Sequence, residues 1–367
     1  HADAVIADAY INGFRDYDVE KAYEAIRKDA YVPPTDDSLH RWGDREWWNG
    51  GYEARGGLSY YLKNGYVADD RTNESVARTL EFALSDYCIA QMAKALGKTT
   101  DYEDLMRRAK NYRYLYNPKT KLFQARNADG CWAGEHSGFT EGANWTYQFC
   151  VMQDVQGLID LMGGKEIFVS MLDSVFSVPP IFDDSYYRGV IHEIREMEIM
   201  NMGNYAHGNQ PIQHMIYLYN YAGEPWKAQY WLREVMTRLY FPTPDGYCGD
   251  EDNGQTSAWY VFTALGFYPV CPGSNQYVLG APYFPKATIT LENGKKIEIV
   301  APKTSDENRY IRKMSYNGKN YTKNYLDHFE LLKGARLLFD MSDQPMKGRG
   351  IKDSDFPYSF SRNETVQ

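Results

Sequence analysis

Apolar residues recur every three to four positions through most of the first 270 residues. In "NESVARTLEFALSDYCIAQMAKALGK", the longest such stretch, Val76, Leu80, Ala83 and Tyr87 lie near one stripe. This spacing places apolar side chains on one face of an α-helix. Other segments with the same period are "DVEKAYEAIRKDAY", "DYEDLMRRAKNYRYLYN", "NWTYQFCVMQDVQGLIDLMGG", "QPIQHMIYLYNYAG" and "EPWKAQYWLREVMTRLY". The pattern predicts roughly ten to twelve paired helices. Because no fixed-period repeat is visible, it favours a closed (α/α)6 toroid over an open solenoid.

The pattern changes after Pro272. "QYVLGAP", "KATITLENGKKIEIVAP" and "ARLLFDMS" alternate or cluster β-forming residues. The dipeptides in "ENGKK" and "YNGKN" are Asn-Gly hairpin signals. The sequence therefore predicts a mainly α protein, with a helical domain over residues 1–271. A small β-sheet domain with a returning irregular tail is expected over residues 272–367.

Aromatic residues make up 15% of the chain, with 32 tyrosines and 8 tryptophans. Two interpretations fit: a large core whose tyrosine hydroxyls reach water, or a cleft whose rings stack on sugars. The net charge of -9 without a basic cluster argues against binding to nucleic acid or to an anionic membrane. No apolar run approaches the roughly 20 residues that a membrane-spanning helix needs.

The five cysteines form no Cys-x-x-Cys pair and have no histidine set for zinc. Their odd number argues against a disulfide scaffold, and their apolar surroundings predict buried thiols. The chain begins "HADAVIADAY", without an initiator methionine or a signal peptide. It is therefore expected to be a piece of a longer polypeptide.

A single carboxyl group stands among aromatic residues in "HSGFTEGANWTYQF". Burial beside rings such as that of Trp145 would raise the pKa of Glu141, as a general acid requires near neutral pH. The alternative is that Glu141 only complements the dipole at the start of a helix.

Three consecutive acids occur in "YCGDEDNGQTSAWY". Asp250, Glu251 and Asp252 could bind a hard cation, activate a water molecule, or form a solvated turn. The spacing does not fit an EF-hand. Glycoside hydrolysis needs two carboxyl groups at one bond, and Glu141 with the Asp250/Asp252 pair could supply them.

Two further clusters carry polar side chains. His192 and Glu193 lie in "VIHEIREMEIM", an apolar stretch that fits a surface strand at least as well as a ligand contact. His207, Asn209 and Gln210 precede Pro211, which suits the first turn of the next helix. A Gly-Asn-Gln loop could present amides to a ligand or oxygens to Ca²⁺.

Taken together and in order, these motifs resemble glycoside hydrolase family 92, the calcium-dependent exo-acting α-mannosidases. The resemblance rests on the following segments: "HADAVIADAY", "GFTEGANWTYQF", "NYAHGNQPIQHMIYLYNYAGEPWK", "GYCGDEDNGQTSAWYVFTALGFYPV" and "PYSFS". It implies an inverting hydrolase that releases mannose from the non-reducing ends of α-mannoside glycans, such as mannan or N-glycans. The general acid falls on Glu141 and the base function on Asp252 and Asp250. Inversion would place the Glu141 and Asp252 carboxyl groups about 6.5–9.5 Å apart.

The resemblance also implies a Ca²⁺ ion that contacts mannose hydroxyls, with Asn209 and Gln210 as candidate ligands. His192 and Glu193 match the pair that contacts the sugar carrying the leaving oxygen in α-1,2-specific members. Trp145 and His207 are further candidate substrate contacts. The expected location is secreted or periplasmic, because such glycans occur outside the cytoplasm.

Two departures from the family pattern stand out. Gln210 replaces a glutamate found in many members, which removes one formal charge. The family's upstream N-terminal β-sandwich domain, with the Trp-Asp motif that follows it, is not in this chain. The alternatives are a relative that cleaves mannose-1-phosphate and could dispense with an acid, or a non-catalytic glycan-binding protein. The presence of Glu141 and of both aspartates argues against them.

Overall fold

The computed structural model of the protein describes residues 2–39, 55–180 and 189–364. Within these ranges, helices predominate up to residue 265 and strands predominate afterwards. The predicted order, a mainly α region followed by C-terminal strands, is therefore confirmed. The chain divides into two compact units that do not coincide with a simple cut in the sequence. The boundary between residues 271 and 272 stays a prediction, as does the toroidal arrangement.

The first unit comprises His1–Asp154, Val178–Arg195 and Pro272–Ser274. Its regular elements begin with six helices: α1 (Ala2–Ile11), α2 (Val19–Tyr31), α3 (Leu58–Asn64), α4 (Ser75–Ala95), α5 (Thr99–Arg108) and α6 (Asn144–Tyr147). Strands β1 (Tyr116–Asn117) and β2 (Leu122–Phe123) pair antiparallel. Helix α4 is buried along most of its length, with α1, α2 and α5 packed against it. Burial on nearly all sides is typical of a helix in such a central position.

Four charged side chains form a buried network in the first unit. The Asp86 carboxylate on α4 accepts hydrogen bonds from Arg55 at 2.7 Å and from Arg108 Nε at 2.8 Å. Arg55 also donates to Asp3 at 2.6 Å. The Tyr61 hydroxyl donates to Asp86 at 3.0 Å. Because two positive and two negative charges face one another, the cost of burying each is offset.

Replacing Asp86 with Asn is expected to lower the free energy of unfolding by about 3–5 kcal/mol, because two buried guanidinium groups are left with the single carboxylate of Asp3. Urea unfolding followed by circular dichroism measures the loss. Asp340→Asn is the matched control. The Asp340 carboxylate also accepts two hydrogen bonds from one arginine, Arg312, at 2.7 and 2.9 Å. Arg312, however, is half exposed. The control should cost less than about 1 kcal/mol. Equal losses for the two variants would contradict the role given to burial.

The second unit comprises Val155–Ser177, Glu196–Cys271 and Asn275–Gln367. Its helices are α7 (Val155–Met162), α8 (Lys165–Ser177), α10 (Pro225–Leu239), α11 (Gln255–Leu265), α12 (His328–Leu331) and α13 (Phe360–Glu364). Helix α9 (His192–Met200) has its first turn in the first unit and its remainder in the second. The strands are β3 (Phe267–Tyr268), β4 (Gln276–Leu279), β5 (Lys286–Thr290), β6 (Lys296–Val300), β7 (Tyr310–Tyr316), β8 (Lys319–Asn320), β9 (Tyr325–Asp327) and β10 (Ala335–Ser342).

The C-terminal strands form two sheets. One has the order β5-β6-β10-β7-β8 and the other the order β3-β4-β9. Both predicted hairpins are present, since β5 pairs antiparallel with β6 and β7 with β8. In the second hairpin Asn317 and Gly318 both have positive φ, 49° and 79°, which a type I′ turn requires. Strand β10 alternates buried and more exposed residues, so one face of its sheet covers the core.

Three local expectations were wrong. The segment that begins at Asn144 is not one helix: α6 ends at Tyr147, a 3-10 turn covers Met152–Asp154, and α7 follows. The segment after Asn209 forms two 3-10 helices, Gln210–Ile212 and Met215–Tyr221. All seven residues of the second are buried, so packing on every side overrides a helix with one apolar face. The stretch around His192, for which a strand was the alternative, is helix α9.

The cysteines follow the prediction only in part. Within the described residues none of the five forms a disulfide, and Cys88, Cys150 and Cys271 are buried. Cys131 is exposed and Cys248 is partly exposed.

Candidate active site

Glu141 lies in a loop of the first unit, two residues before the turn that opens α6. It is partly exposed, and its backbone has a φ of +50°. This left-handed conformation is uncommon for residues other than glycine, and such residues often occur at functional sites. Trp145, on α6, is also partly exposed.

The Glu141 loop is anchored on the start of α4. The carbonyl oxygen of Gly138 accepts hydrogen bonds from the backbone N–H groups of Val76 and Ala77, at 2.9 and 3.0 Å. Only glycine fits at 138, because φ is +89° and a Cβ would lie 2.7 Å from Ser75 Oγ. The orphan N–H groups at the N-terminus of a helix thus bind the loop.

His192 and Glu193 are neighbours at the start of α9. His192 Nε2 lies 3.2 Å from Glu193 Oε1, and the His192 side chain is 56% exposed against 11% for Glu193. The second carboxylate oxygen of Glu193 is buried and has no hydrogen-bond partner among the described residues. A buried acceptor of this kind is costly unless a ligand or water satisfies it.

Two glycine-containing loops of the second unit meet backbone to backbone. A Cβ on Gly249 would lie 2.4 Å from the Cα of Gly208, so neither position tolerates a larger residue without a shift. Glu196 Oε2 lies 2.8 Å from the Cβ that either glycine would carry. The structure therefore brings Glu196 to the place where the loops meet. Sequence reasoning missed this residue, although its position three residues after Glu193 places both on one face of α9.

The loop that carries the acidic run is held through the Asp250 carbonyl oxygen. This oxygen accepts hydrogen bonds from Gln210 Nε2 at 3.0 Å and from Thr256 Oγ1 at 2.9 Å. Gln213 Nε2 in turn donates to Thr256 Oγ1 at 3.0 Å. The structure thus brings Gln210 and Asp250 together. Because the amide nitrogen of Gln210 is engaged, its carbonyl oxygen is the group it can offer to a ligand.

Asp252 begins a left-handed turn at the start of α11. Asp252, Asn253 and Gly254 have φ values of 47°, 56° and 102°. The Glu251 carboxylate accepts a hydrogen bond from the Gly254 N–H at 2.9 Å. Hydrogen bonds from Ser257 and Gly254 lower the pKa of Glu251, so this carboxylate fixes the turn. The side chains of Asp250 and Asp252 are exposed to solvent.

His207 is fully buried in the second unit. Its Nδ1 lies 2.9 Å from the Tyr205 hydroxyl and its Nε2 lies 2.8 Å from the Tyr240 hydroxyl. Burial lowers the pKa of His207 to about 3, so the ring is neutral at physiological pH. The Trp259 ring packs edge-on at 4.3 Å. Asn209, which directly precedes the first 3-10 turn, is also buried.

The sequence profile of the glycosyl hydrolase family 92 catalytic domain matches residues 1–343. The chain belongs to this family of glycosidases. It is 43% identical to an inverting mannosidase of family GH92 from Bacteroides thetaiotaomicron, with a TM-score of 0.84 over 98% of this chain and 48% of that one. A GH92 alpha-mannosidase from the same organism, solved in complex with mannoimidazole, is 38% identical, with a TM-score of 0.84 over 98% of this chain and 45% of that one.

An uncharacterized secreted glycosidase from Arthroderma benhamiae is 30% identical over 98% of this chain and 47% of its own length. The chain thus spans about half the length of the relatives it matches. Among the described residues, none of the helices combines the length and apolar character that a bilayer crossing requires.

Proposed function

We propose that the chain is the catalytic region of an inverting, exo-acting α-mannosidase that releases α-1,2-linked mannose from the non-reducing ends of glycans. In this proposal residues 1–271 form an (α/α)6 toroid and residues 272–367 a β domain. Family membership supports the class of reaction. The observation that carries the site assignment is that Glu141 and Asp252 both occupy left-handed backbone positions, with φ of +50° and +47°.

The proposed mechanism divides the work between two carboxyl groups. Glu141, protonated before the reaction, transfers its proton to the glycosidic oxygen as the bond to C1 breaks. Asp252 takes a proton from water, which attacks C1 from the opposite face and yields β-mannose. Asp250 holds this water, while its carbonyl oxygen is fixed by Gln210 and Thr256. Trp145 contacts the sugar, and the buried His207 supports the loop that presents Asn209 and Gln210.

Three residues of the second unit carry the kind of oxygen atoms that bind a calcium ion. Glu196 offers a carboxylate where Gly208 and Gly249 meet, and Gln210 has its amide oxygen available. With the amide oxygen of Asn209 they would supply hard oxygen donors, which Ca²⁺ prefers. When bound, Ca²⁺ would hold mannose hydroxyl groups and favour a flattened ring.

Removing calcium is expected to abolish hydrolysis of α-1,2-mannobiose, and adding it back should restore the rate. Glu196→Gln should raise the calcium concentration for half-maximal activity by roughly 10–100-fold, since it removes a charged donor. Glu198→Gln, an exposed glutamate on the same helix, is the control and should leave that concentration unchanged. The measurement is the initial rate of mannose release against free calcium, using the full-length polypeptide. Activity that survives exhaustive chelation would contradict the assignment.

The α-1,2 preference rests on His192 and Glu193. The buried, unsatisfied Glu193 oxygen supports a ligand hydroxyl at this position. A panel of α-1,2-, α-1,3- and α-1,6-linked mannobioses tests the linkage, and Glu193→Gln should selectively slow the α-1,2 substrate. Mannose-1-phosphate esters belong in the same panel, because preferential cleavage of a phosphate-linked substrate would favour the alternative, an enzyme that cleaves mannose-1-phosphate.

Export from the cytoplasm is part of the proposal, in keeping with the secreted relative.

A further inference from the structure

We propose that Tyr147 is a positioning residue for the general acid and acts through the backbone of Thr140. The inference rests on the proposed function, since it assumes that Glu141 donates the proton. The Tyr147 hydroxyl donates a hydrogen bond to the Thr140 carbonyl oxygen at 2.8 Å. This carbonyl belongs to the peptide group that joins Thr140 to Glu141. Its orientation therefore helps to set the direction in which the Glu141 side chain leaves the backbone.

The Tyr147 ring is fixed as well as its hydroxyl. Tyr147 is 4% exposed, and its ring packs at 5.8 Å against that of Phe139, which is equally buried. A buried tyrosine hydroxyl needs a partner, and here the partner is a backbone carbonyl. Tyr147 therefore contributes one directed contact to the loop from inside the first unit.

The loop needs such a contact because Glu141 itself is strained. A glutamate with φ of +50° relaxes to another conformation unless its surroundings hold it. Contacts of different kinds hold the chain on either side. Upstream, Ser137 Oγ donates to Asp69 at 2.6 Å, and the Gly138 carbonyl is bound by α4. Downstream, a Cβ on Gly142 would lie 2.8 Å from Thr146 Oγ1, so the chain passes closely over α6. The Tyr147 hydrogen bond acts between these anchors, at the residue directly before Glu141.

This arrangement predicts an effect that depends on the leaving group. Proton donation accelerates departure of a sugar alkoxide, which is a poor leaving group, but fluoride leaves without it. A misplacement of a catalytic group by about 1 Å can cost about 10²-fold in rate. Loss of the Tyr147 hydroxyl should therefore slow hydrolysis of mannobiose and largely spare α-mannosyl fluoride.

The test compares kcat for α-1,2-mannobiose and for α-mannosyl fluoride, using full-length protein with calcium present. We expect Tyr147→Phe to lower kcat for mannobiose by about 10–100-fold and for the fluoride by less than about threefold. Tyr66→Phe is the matched control: the Tyr66 hydroxyl also donates to a backbone carbonyl, that of Asn127 at 3.0 Å, and the residue is 5% exposed. This control substitution should leave kcat unchanged for both substrates.

A second substitution separates positioning from loss of packing. Replacing Tyr147 with p-aminophenylalanine keeps a hydrogen-bond donor at the ring terminus and should restore most of the mannobiose rate. Equal losses on both substrates, or no loss on either, would overturn the inference. If the unmodified protein hydrolyses neither substrate, the proposed function itself is wrong, and that outcome is recognised before any variant is measured.

Discussion

Glu141→Gln is expected to lower kcat for α-1,2-mannobiose by about 10²–10⁴-fold, the usual contribution of a general acid. Glutamine keeps the size and shape of the side chain but has no proton to give. With α-mannosyl fluoride as substrate the loss should be below about tenfold, because departure of fluoride needs no protonation. A loss confined to mannobiose would identify Glu141 as the proton donor, since general damage to the site would slow both substrates.

The control for Glu141→Gln is Glu135→Gln. Glu135 is an exposed carboxylate six residues earlier in the same region, and its loss should leave both substrates unaffected. Equal losses with mannobiose and fluoride in Glu141→Gln would show that this residue is not the acid. The fluoride assay also separates Glu141 from the base, because the base is needed for both substrates.

Asp252→Asn is expected to lower kcat by about 10²–10⁴-fold on mannobiose and on α-mannosyl fluoride alike. Water must be activated whatever group leaves, so the loss should not depend on the substrate. Asparagine tolerates a left-handed backbone well, and the φ of +47° at this position therefore disfavours neither residue. The substitution should remove the carboxylate without disturbing the turn.

Azide provides a positive readout for the same variant. It is already an anionic nucleophile and needs no base, so it should restore turnover of α-mannosyl fluoride by Asp252→Asn and give β-mannosyl azide. Asp245→Asn, an exposed aspartate five residues before Asp250, is the matched control and should behave like the unmodified protein. If Asp250→Asn lowers kcat more than Asp252→Asn does, and azide restores turnover only in Asp250→Asn, then Asp250 is the base.

Local patterns were sufficient for the features that depend on neighbouring residues. The Asn-Gly dipeptides predicted two hairpins because tight turns between strands need residues that tolerate positive φ; Asn317 and Gly318 both adopt it, and in the first hairpin Gly294 does. The long stretch with apolar residues at helical spacing predicted α4, which is buried along most of its length. The candidate acid and the candidate base were proposed because an isolated glutamate among rings and a group of acids are visible in the sequence itself, and their roles stay predictions.

Features that depend on residues far apart in the chain were not predictable. Glu196 became a candidate only when the structure placed it beside Gly208 and Gly249, which are separated by about 40 positions. The burial of His207 between Tyr205 and Tyr240 likewise depends on packing, and a histidine beside a Gly-Asn-Gln loop resembles a surface ligand in sequence. The 3-10 helix of Met215–Tyr221 arises because all its side chains are buried, which no one-sided periodicity indicates.

The most direct test of the central claim is the anomeric configuration of the first mannose released. Full-length protein with calcium and α-1,2-mannobiose would be followed by proton NMR from the first minutes, before mutarotation mixes the anomers. We expect β-mannose to appear first and α-mannose later. Initial release of α-mannose would contradict it, because retention requires a carboxylate nucleophile that attacks C1 directly, and neither Glu141 nor Asp252 is assigned that role.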